Sequence, residues 1–364
     1  MSKDKDVLLN LLKFANKEIK SKLEGGRSVI NRVVSPTTIE DFYKCPYRAF
    51  ASHTLKIKQK DNGEIGPLTV GNFIHAVLEI YVLRLSEIKD KNTSNQIFEE
   101  CLNQVLSSDE YLKFKIDKVS DFTLNQVIEE AKEFCYKTYL QFKDSLFKPY
   151  KTEATFGDSN DLKTYDFPAI KLTDKVKLTG KIDRIDTFEG YYRVLDYKTG
   201  KVKDKDSELF SGVKLQLYLY AQAVKNLTLA GAYYVPISNE YLKDGEEKTT
   251  YAVGKTLQDE KVVFATDSNL KIEGKSKVIG VTYEKEKVKK AVSQDAFCAY
   301  TDYAMQISKL GAKQMTDGVI IPSPIESACA YCGLKGLCGV SEEYVRKIKK
   351  VTQKTIEESI KGDN

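Results

Sequence analysis

The sequence predicts an α/β fold with a helical insertion, and three features of its apolar pattern support this prediction. Apolar residues recur with helical spacing up to about residue 146. Short segments between about residues 152 and 198 are rich in β-branched and aromatic residues, as is typical of strands. A helical stretch at 212–226 and an apolar strand at 229–237 follow. Helices, then strands, then a helix and a strand again predict a sheet flanked by helices.

The first part of the chain is predicted to be helical. Residues 1–34 are charged and amphipathic, and they lack the continuous apolar stretch and the cleavage site of a secretory signal. Ser35 followed by Pro36 is a helix-start signal. Three further helices are predicted at about 71–88, 93–106 and 121–146.

Strands are predicted in "TEATFG", "VKLTGKIDRID", "YYRVLDYK" and "LAGAYYVPI". Residues 240–280 read as charged hairpins or loops, and residues 284–310 as a helix. A Pro- and Cys-rich segment and a basic helix complete the pattern. The predicted division is an N-terminal helical extension (1–34), a central domain (35–340) and a C-terminal basic helix or tail (341–364).

The composition is that of a globular protein with a highly charged surface. The chain has 364 residues, 41% of them apolar, and its 57 Lys and Arg residues leave a net charge of only +5. This balance is compatible with a DNA-binding face but does not establish one. Neither a membrane span nor a nucleotide motor is predicted, because no run of about 18 apolar residues and no complete phosphate-binding loop is present.

The segment "GKIDRIDTFEGYYRVLDYKTG" carries the strongest chemical signal. Glu189 and Gly190 form a plausible two-residue turn, because glycine accepts the positive φ that such a turn needs. Counting outward from this turn places Asp183 opposite Asp196, and opposed residues share a face with Cβ atoms about 4.5–5.5 Å apart. Lys198, two residues beyond Asp196, lies on the same face.

Two opposed carboxylates repel each other, and a divalent cation between them would relieve that repulsion. Oxygen ligands of this kind favour Mg²⁺ or Mn²⁺. A lysine beside such an ion can orient a water nucleophile or neutralise charge that develops on a phosphate. The hairpin therefore fits metal-assisted phosphodiester hydrolysis, and a solvent-exposed hairpin face rich in Asp and Lys is the alternative.

Four other polar residues lie on neighbouring predicted elements. His75 lies on the helix at 71–88, where a histidine satisfied within the helix is the alternative to a ligand. Glu153 begins the strand before the hairpin. Gln216 and Tyr220 lie one turn apart on the helix after it, where half-buried surface positions are the alternative.

The seven cysteines fall into two groups. Three lie within predicted helices and are expected to be buried small apolar residues: Cys101, Cys135 and Cys298. Three others form a C-x2-C-x5-C pattern, and the last stands alone about 280 residues earlier: Cys329, Cys332, Cys338 and Cys45. Four thiolates of this kind can hold zinc or an iron–sulfur cluster, and their spacing leaves both open. A cytoplasmic location is the default expectation, where a disulfide is not expected.

In order along the chain, "GNFIH", "GKID", "DYK" and "QLYLY" read as G-x-x-x-H, G-x-x-D, D-x-K and Q-x-x-x-Y. This ordered set resembles the PD-(D/E)xK nuclease superfamily, in its RecB-like branch. The resemblance implies a restriction-endonuclease-like core, in which a mixed central sheet is flanked by helices. Each of the four segments matches its motif in the identity and the spacing of the named residues.

The same resemblance implies roles for the site residues. It implies that Mg²⁺ or Mn²⁺ is bound by His75, Asp183, Asp196 and the backbone carbonyl of Tyr197. It implies catalytic roles for Asp183, Asp196, Lys198 and, from a looser motif, Glu153. It further implies that Gln216 and Tyr220 contact DNA and support the site.

The four dispersed cysteines are similar to the iron–sulfur staple of AddB-type nucleases and CRISPR-associated RecB-like exonucleases. This resemblance implies a [4Fe–4S] cluster that is held by Cys45, Cys329, Cys332 and Cys338 and clamps the N- and C-terminal segments together. Closing a loop of about 280 residues costs roughly 5 kcal/mol in its logarithmic term, which such a clamp would offset.

The segment "SPTTIEDFYKCPYRAFASHTLKIKQK" resembles in particular the beginning of AddB-type nuclease domains, and the similarity covers about residues 35–340. The resemblance implies a metal-dependent DNA nuclease, in particular an exonuclease on single-stranded DNA or DNA ends, that acts in double-strand break processing and recombinational repair with a helicase–nuclease partner subunit. The alternatives are a CRISPR-adaptation exonuclease and a non-catalytic DNA-binding scaffold. Whether the chain is a piece of a larger subunit or a free-standing relative stays open.

Overall fold

The computed structural model of the chain describes residues 33–57, 67–108, 111, 118–159, 163–200, 202–224, 227–237, 252–271, 274–330 and 332–361. The helix predicted within residues 1–34 lies almost entirely outside these residues, as does part of the predicted loop region at 240–280.

The α-helices of the described residues are α1 (Pro36–Lys44), α2 (Pro46–Ala49), α3 (Pro67–Leu83), α4 (Lys91–Leu106), α5 (Lys118–Lys143), α6 (Asp206–Phe210), α7 (Gln216–Ala223), α8 (Glu260–Thr266), α9 (Gln294–Thr316), α10 (Lys335–Cys338) and α11 (Gln353–Lys361). The strands are β1 (Val33–Val34), β2 (Lys148–Gly157), β3 (Phe167–Pro168), β4 (Ile170–Lys171), β5 (Lys177–Leu178), β6 (Gly180–Phe188), β7 (Tyr191–Lys198), β8 (Thr228–Pro236), β9 (Val253–Thr256), β10 (Gly274–Lys275), β11 (Thr282–Glu284) and β12 (Lys287–Lys289).

The central sheet is mixed and has the strand order β3-β2-β6-β7-β8-β9. Neighbours β2, β6 and β7 are antiparallel, whereas β7 and β8 are parallel. A parallel pair needs a crossover connection, and here α6 and α7 supply it. The mixed sheet predicted from the sequence is therefore confirmed. The short strands β1, β5 and β4 form a second sheet, and β10, β11 and β12 a third.

Each face of the central sheet carries its own apolar core, so helices cover both faces. One core packs α1, α7 and α9 against strand residues that include Val194 and Ala232. The other packs α3, α4 and α5 against Leu195 and Tyr197. Because side chains alternate along a strand, Asp196 lies on the same face of β7 as Val194, towards α7. No helix in the described part of the chain has both the length and the apolar character of a membrane span.

The helix predicted at 284–310 is wrong in its first part. Thr282–Glu284 and Lys287–Lys289 pair as a hairpin, and α9 begins only at Gln294. The two turn residues are Lys285 and Glu286, whose φ angles are 51° and 58°. Turns of this kind normally carry Gly or Asn, so their usual sequence signal is missing here.

Two smaller predictions met different outcomes. Cys101 and Cys135 are buried as predicted, but Cys298 is exposed on α9, so its prediction as a buried residue is wrong. Only one side of α9 packs against the core, and Cys298 lies on the other side. The prediction placed Cys298 in a helix but did not determine which side of that helix it occupies. At the C-terminal end, α11 packs on α9 and buries Ile356 completely.

Candidate active site

The hairpin formed by β6 and β7 has the predicted turn and register. Glu189 and Gly190 form the turn with φ angles of 41° and 86°. The strands pair outward from Phe188 and Tyr191, in the register that aligns Asp183 with Asp196. Just beyond the last pair, the backbone N–H of Tyr197 donates a 2.8 Å hydrogen bond to Asp183 Oδ2. Asp183 therefore lies beside the end of β7 that carries Asp196 and Lys198.

Three possible metal ligands converge at this end of the hairpin. His75 on α3, Glu153 on β2 and Asp183 on β6 each offer an atom within 4.8 Å of the others. The distance from His75 Nδ1 is 3.5 Å to Asp183 Oδ2 and 4.0 Å to Glu153 Oε1. Burial lowers the pKa of His75, which favours the neutral ring that binds metals. A backbone hydrogen bond also joins this ring to Tyr197.

Glu153, the second of the three possible metal ligands, has an unusual backbone conformation. Its φ angle is 48°, in the left-handed region that non-glycine residues seldom occupy. The pairs formed by Thr152 and Ala154 with β6 flank it, so Glu153 lies across from Asp183. Its carboxylate also contacts the Lys181 ammonium. A strained conformation at a cluster of possible ligands is a known property of functional sites.

Asp196 is almost completely buried on the adjacent strand. Neither of its carboxylate oxygens makes a well-aligned hydrogen bond within the described residues, although the Lys198 ammonium lies 2.5 Å from Oδ2. Burial and then the neighbouring Asp183 raise the pKa of Asp196 to about 7, and burial raises the pKa of Asp183 to about 7 as well. A buried carboxylate in this situation is unfavourable unless a cation joins it. Carboxylate oxygens with one imidazole nitrogen therefore fit Mg²⁺ or Mn²⁺.

Lys198 is held in place by the helix that follows the hairpin. Its ammonium donates a 3.0 Å hydrogen bond to Gln216 Oε1, and Gln216 Nε2 donates a 2.7 Å bond to the Tyr220 hydroxyl. Tyr220 is buried, and its ring packs against Phe156. The structure therefore places Gln216 and Tyr220 behind Lys198 as supports, and their contact with DNA stays a prediction.

Glu40 supports the same helix, and sequence reasoning missed it. Its Oε1 accepts hydrogen bonds from the backbone N–H groups of Leu215 and Gln216, at 2.7 and 2.9 Å, where α7 begins. Burial raises the pKa of Glu40, while Lys44 and these two N–H groups lower it. Because Glu40 and Leu215 lie far apart in the sequence, only the preference for acidic groups at helix N-termini could have indicated this contact.

A buried charged cluster lies on the opposite face of the hairpin and was also missed. Asp186 is fully buried and accepts hydrogen bonds from both Arg184 and Arg193. Arg184 also reaches the Tyr197 hydroxyl at 3.5 Å. The Tyr197 ring meets the rings of His75 and Phe134 edge to face. These contacts fix the residue whose backbone bonds both Asp183 and His75.

The four dispersed cysteines come together in the fold. Cys45 lies between α1 and α2, whereas Cys329, Cys332 and Cys338 lie in the segment that ends with α10. Burial and then the thiols of the other three raise the pKa of Cys329, so the four cysteines lie in one region of the fold. Two hydrogen bonds join the same two regions: the Ile325 backbone N–H donates to the Lys44 carbonyl at 2.9 Å, and the Arg346 guanidinium donates to the Tyr43 carbonyl at 2.5 Å.

All seven cysteines of the chain are free thiols in the structure. Four of them approach one another from distant parts of the sequence, but among these described residues no three sulfur atoms all lie within 4.8 Å of one another, as tetrahedral zinc would require. The convergence of the thiols is compatible with the predicted clamp, and the cluster itself stays a prediction.

Comparison with known proteins finds one matching family. Residues 33–339 match the family described as the PD-(D/E)XK nuclease superfamily. Among curated relatives, the B subunit of the ATP-dependent helicase/deoxyribonuclease of Clostridioides difficile (strain 630) is 25% identical across 96% of this chain and 33% of its own length. The protein of the same name from Clostridium perfringens (strain SM101 / Type A) is 27% identical across 96% of this chain and 33% of its own.

A third relative with this name, from Lactiplantibacillus plantarum, is 29% identical across 57% of this chain and 19% of its own length. The chain therefore spans about a third of the length of the first two curated relatives.

Proposed function

The chain belongs to the PD-(D/E)XK nuclease superfamily, and from this membership we propose that it is a metal-dependent DNA nuclease that hydrolyses phosphodiester bonds. The observation that carries the proposal is the convergence of His75, Glu153 and Asp183 beside Asp196 and a supported lysine. These are the residue types that metal-assisted phosphoryl chemistry needs. They lie on three neighbouring strands of the central sheet, β2, β6 and β7, and on helix α3.

The metal would be held by His75, Asp183, Asp196 and the Tyr197 carbonyl, with Glu153 beside them. A bound Mg²⁺ or Mn²⁺ supplies Lewis-acid stabilisation of phosphate charge and a more acidic water. The chain supplies a buried, preorganised set of acceptors for it, since Asp183 is fixed by the Tyr197 N–H and His75 by packing against the Tyr197 ring.

Lys198 acts on the substrate side of this site. Its ammonium is bound by the Asp196 carboxylate and the Gln216 amide, so its side chain is oriented before substrate arrives. A third of the side chain stays exposed. In this position the ammonium orients the attacking water or neutralises charge that develops on the phosphate during bond cleavage.

We further propose that the substrate is single-stranded DNA or a DNA end, processed by an exonuclease in double-strand break repair. The names of the relatives support a deoxyribonuclease that works with a helicase, because each is the B subunit of an ATP-dependent helicase/deoxyribonuclease. The preference for single strands or ends rests on the family resemblance of the motifs. The names also favour a helicase–nuclease partner subunit over the role of a CRISPR-adaptation exonuclease. A cytoplasmic location accords with the free thiols of the chain.

The clamp is proposed to be a [4Fe–4S] cluster on Cys45, Cys329, Cys332 and Cys338. Its support is the convergence of these thiols and the resemblance of their order in the chain to iron–sulfur nucleases. Held in this way, the cluster joins the start of the nuclease region to its end and takes no part in bond cleavage.

The test is cleavage of end-labelled single- and double-stranded DNA by anaerobically purified protein, with Mg²⁺, Mn²⁺ or EDTA. We expect metal-dependent cutting that Asp196→Ala and Lys198→Ala each reduce by at least about a hundredfold, since each removes a group that stabilises the transition state. Lys309→Ala is the matched control, because Lys309 is an exposed lysine that lines a different cavity.

Cleavage that persists in Lys198→Ala at the rate of the Lys309→Ala control would falsify the assignment of the site. Absence of cleavage in the wild-type protein under every metal condition, together with retained DNA binding, would instead favour the non-catalytic scaffold.

A further inference from the structure

A groove with a volume of about 450 Å³ opens beside the Lys198 side chain. Its walls include α1 and α2, the ends of β7 and β8, the segment from α6 to the start of α7, and residues 325–328 directly before Cys329. We call it the basic groove, because Lys44, Arg48, Lys198 and Lys214 line it. It therefore connects the catalytic lysine with the region of the four converging cysteines.

The acidic groups of the basic groove are already engaged. Glu40 accepts two backbone hydrogen bonds at the start of α7, and Glu208 pairs with Lys214 and Lys205. Two carboxylates and four cationic side chains thus line the groove, and three of the cations are paired with carboxylates of the protein. The charge that stays open to a ligand of opposite sign is therefore that of the fourth cation.

Arg48 is the cation of this groove that is least committed to the protein. Lys44 pairs with Asp41, Lys198 with Asp196, and Lys214 with Glu208. Within the described part of the chain, the half-buried Arg48 makes neither a hydrogen bond nor an ion pair, and Asp41 attracts it only at longer range. A guanidinium presents a fork of N–H donors that matches the geometry of a phosphate.

We propose that the basic groove binds the sugar–phosphate backbone of a single DNA strand next to the scissile bond, with Arg48 as a phosphate-binding residue. This inference rests on the proposed nuclease function, because it places the groove's occupant against Lys198. The groove reaches Lys198, so a strand held in it lies next to the bond that is cleaved. A positively charged groove that tracks a backbone is also the usual way to bind a single strand.

The experiment measures the affinity of the full chain for a labelled single-stranded oligonucleotide over a series of salt concentrations. The thiols are kept reduced, and no divalent metal is present. Arg48→Gln is expected to weaken binding about tenfold, the size of one charge-assisted hydrogen bond. It is also expected to reduce the slope of log K against log salt by about 0.7, the contribution of one phosphate contact on a single strand. Arg48→Lys keeps the charge and is expected to retain most of the slope.

Lys309→Gln is the matched control, because it removes one positive charge from an exposed site outside the basic groove. A slope for Arg48→Gln that equals the Lys309→Gln slope would overturn the inference, as would an equal reduction of the slope in Arg48→Lys and Arg48→Gln. Because binding is read without cleavage, this outcome is separate from failure of the proposed function, which shows only in the cleavage assay with Lys198→Ala.

Discussion

At the scale of single residues, the site depends on how the Lys198 ammonium is held. It contacts a buried carboxylate on one side and the Gln216 amide on the other, and Gln216 is in turn oriented by the Tyr220 hydroxyl. A side chain that is fixed in this way loses little freedom when substrate binds, which is the physical basis of preorganisation.

Tyr220→Phe is expected to lower kcat about fivefold while the Tm stays nearly unchanged. The variant removes the acceptor of the Gln216 N–H but keeps the ring that packs on Phe156, and one neutral hydrogen bond is worth about 1 kcal/mol. Steady-state cleavage kinetics and thermal unfolding measure the two effects. The control is Tyr303→Phe, which loses a single hydrogen bond to the Phe210 carbonyl. If Tyr220→Phe and Tyr303→Phe have the same kcat, Tyr220 does not orient Gln216 for catalysis as we infer.

The sequence predicted the hairpin residues well because the Glu189-Gly190 turn fixes a register that can be counted. It left Glu153 uncertain, since a left-handed glutamate in a strand has no local sequence signal. Glu40 could not be found at all, because it acts through hydrogen bonds to backbone groups about 175 residues away in the sequence.

At the scale of elements, α7 carries both supports of Lys198, so the position of its first turn matters. Backbone N–H groups at the N-terminus of a helix have no acceptor inside the helix. At the start of α7, Glu40 accepts hydrogen bonds from two such groups, those of Leu215 and Gln216. Glu40 belongs to α1, which precedes Cys45 in the sequence. The first helix of the described chain thus positions the catalytic lysine indirectly.

Glu40→Ala is expected to lower the free energy of unfolding by about 2 kcal/mol, because two buried N–H groups lose their acceptor. Glu40→Ala is also expected to lower kcat at temperatures where the variant is fully folded. Glu40→Gln retains an acceptor oxygen, so we expect it to keep most of the free energy of unfolding and most of kcat. Chemical denaturation and cleavage kinetics are the measurements.

The control for this change is Ser293→Ala, which removes the side-chain cap from the start of α9. A purely structural role of Glu40 would make the two alanine variants alike, with lower stability and unchanged kcat.

The elements themselves were predictable where their pattern is long and regular. The strand "YYRVLDYK" coincides with β7, and the helix at 93–106 with most of α4. The hairpin formed by β11 and β12 was taken for helix because its turn uses Lys285 and Glu286 in place of glycine or asparagine, so tertiary contacts decided its conformation.

At the scale of the whole molecule, the two ends of the nuclease region meet at the four cysteines. Cys332→Ser is expected to abolish iron and sulfide binding and to lower the Tm by several degrees, because the proposed clamp would no longer close a loop of about 280 residues. Hydrogen exchange is expected to rise first at the Ile325 amide, which bonds the Lys44 carbonyl.

Cys298→Ser is the control for this change, because Cys298 is an exposed cysteine on α9 outside the converging set. Metal analysis, visible absorbance and thermal unfolding are the measurements. An unchanged Tm in Cys332→Ser, with the metal content of the control, would rule out the clamp.

The contact between Tyr43–Lys44 and the region of Ile325 and Arg346 also decides how the molecule responds to tension. A force that pulls the chain apart at residues 33 and 347 passes directly from one region to the other through this short load path. The catalytic hairpin, at residues 180–200, lies between these points in the sequence, and it is joined to the loaded segment by the Thr179–Val34 hydrogen bond and by the bonds of Glu40 to the start of α7. A force applied at residue 33 is therefore shared between this contact and the elements that position Asp183 and Lys198.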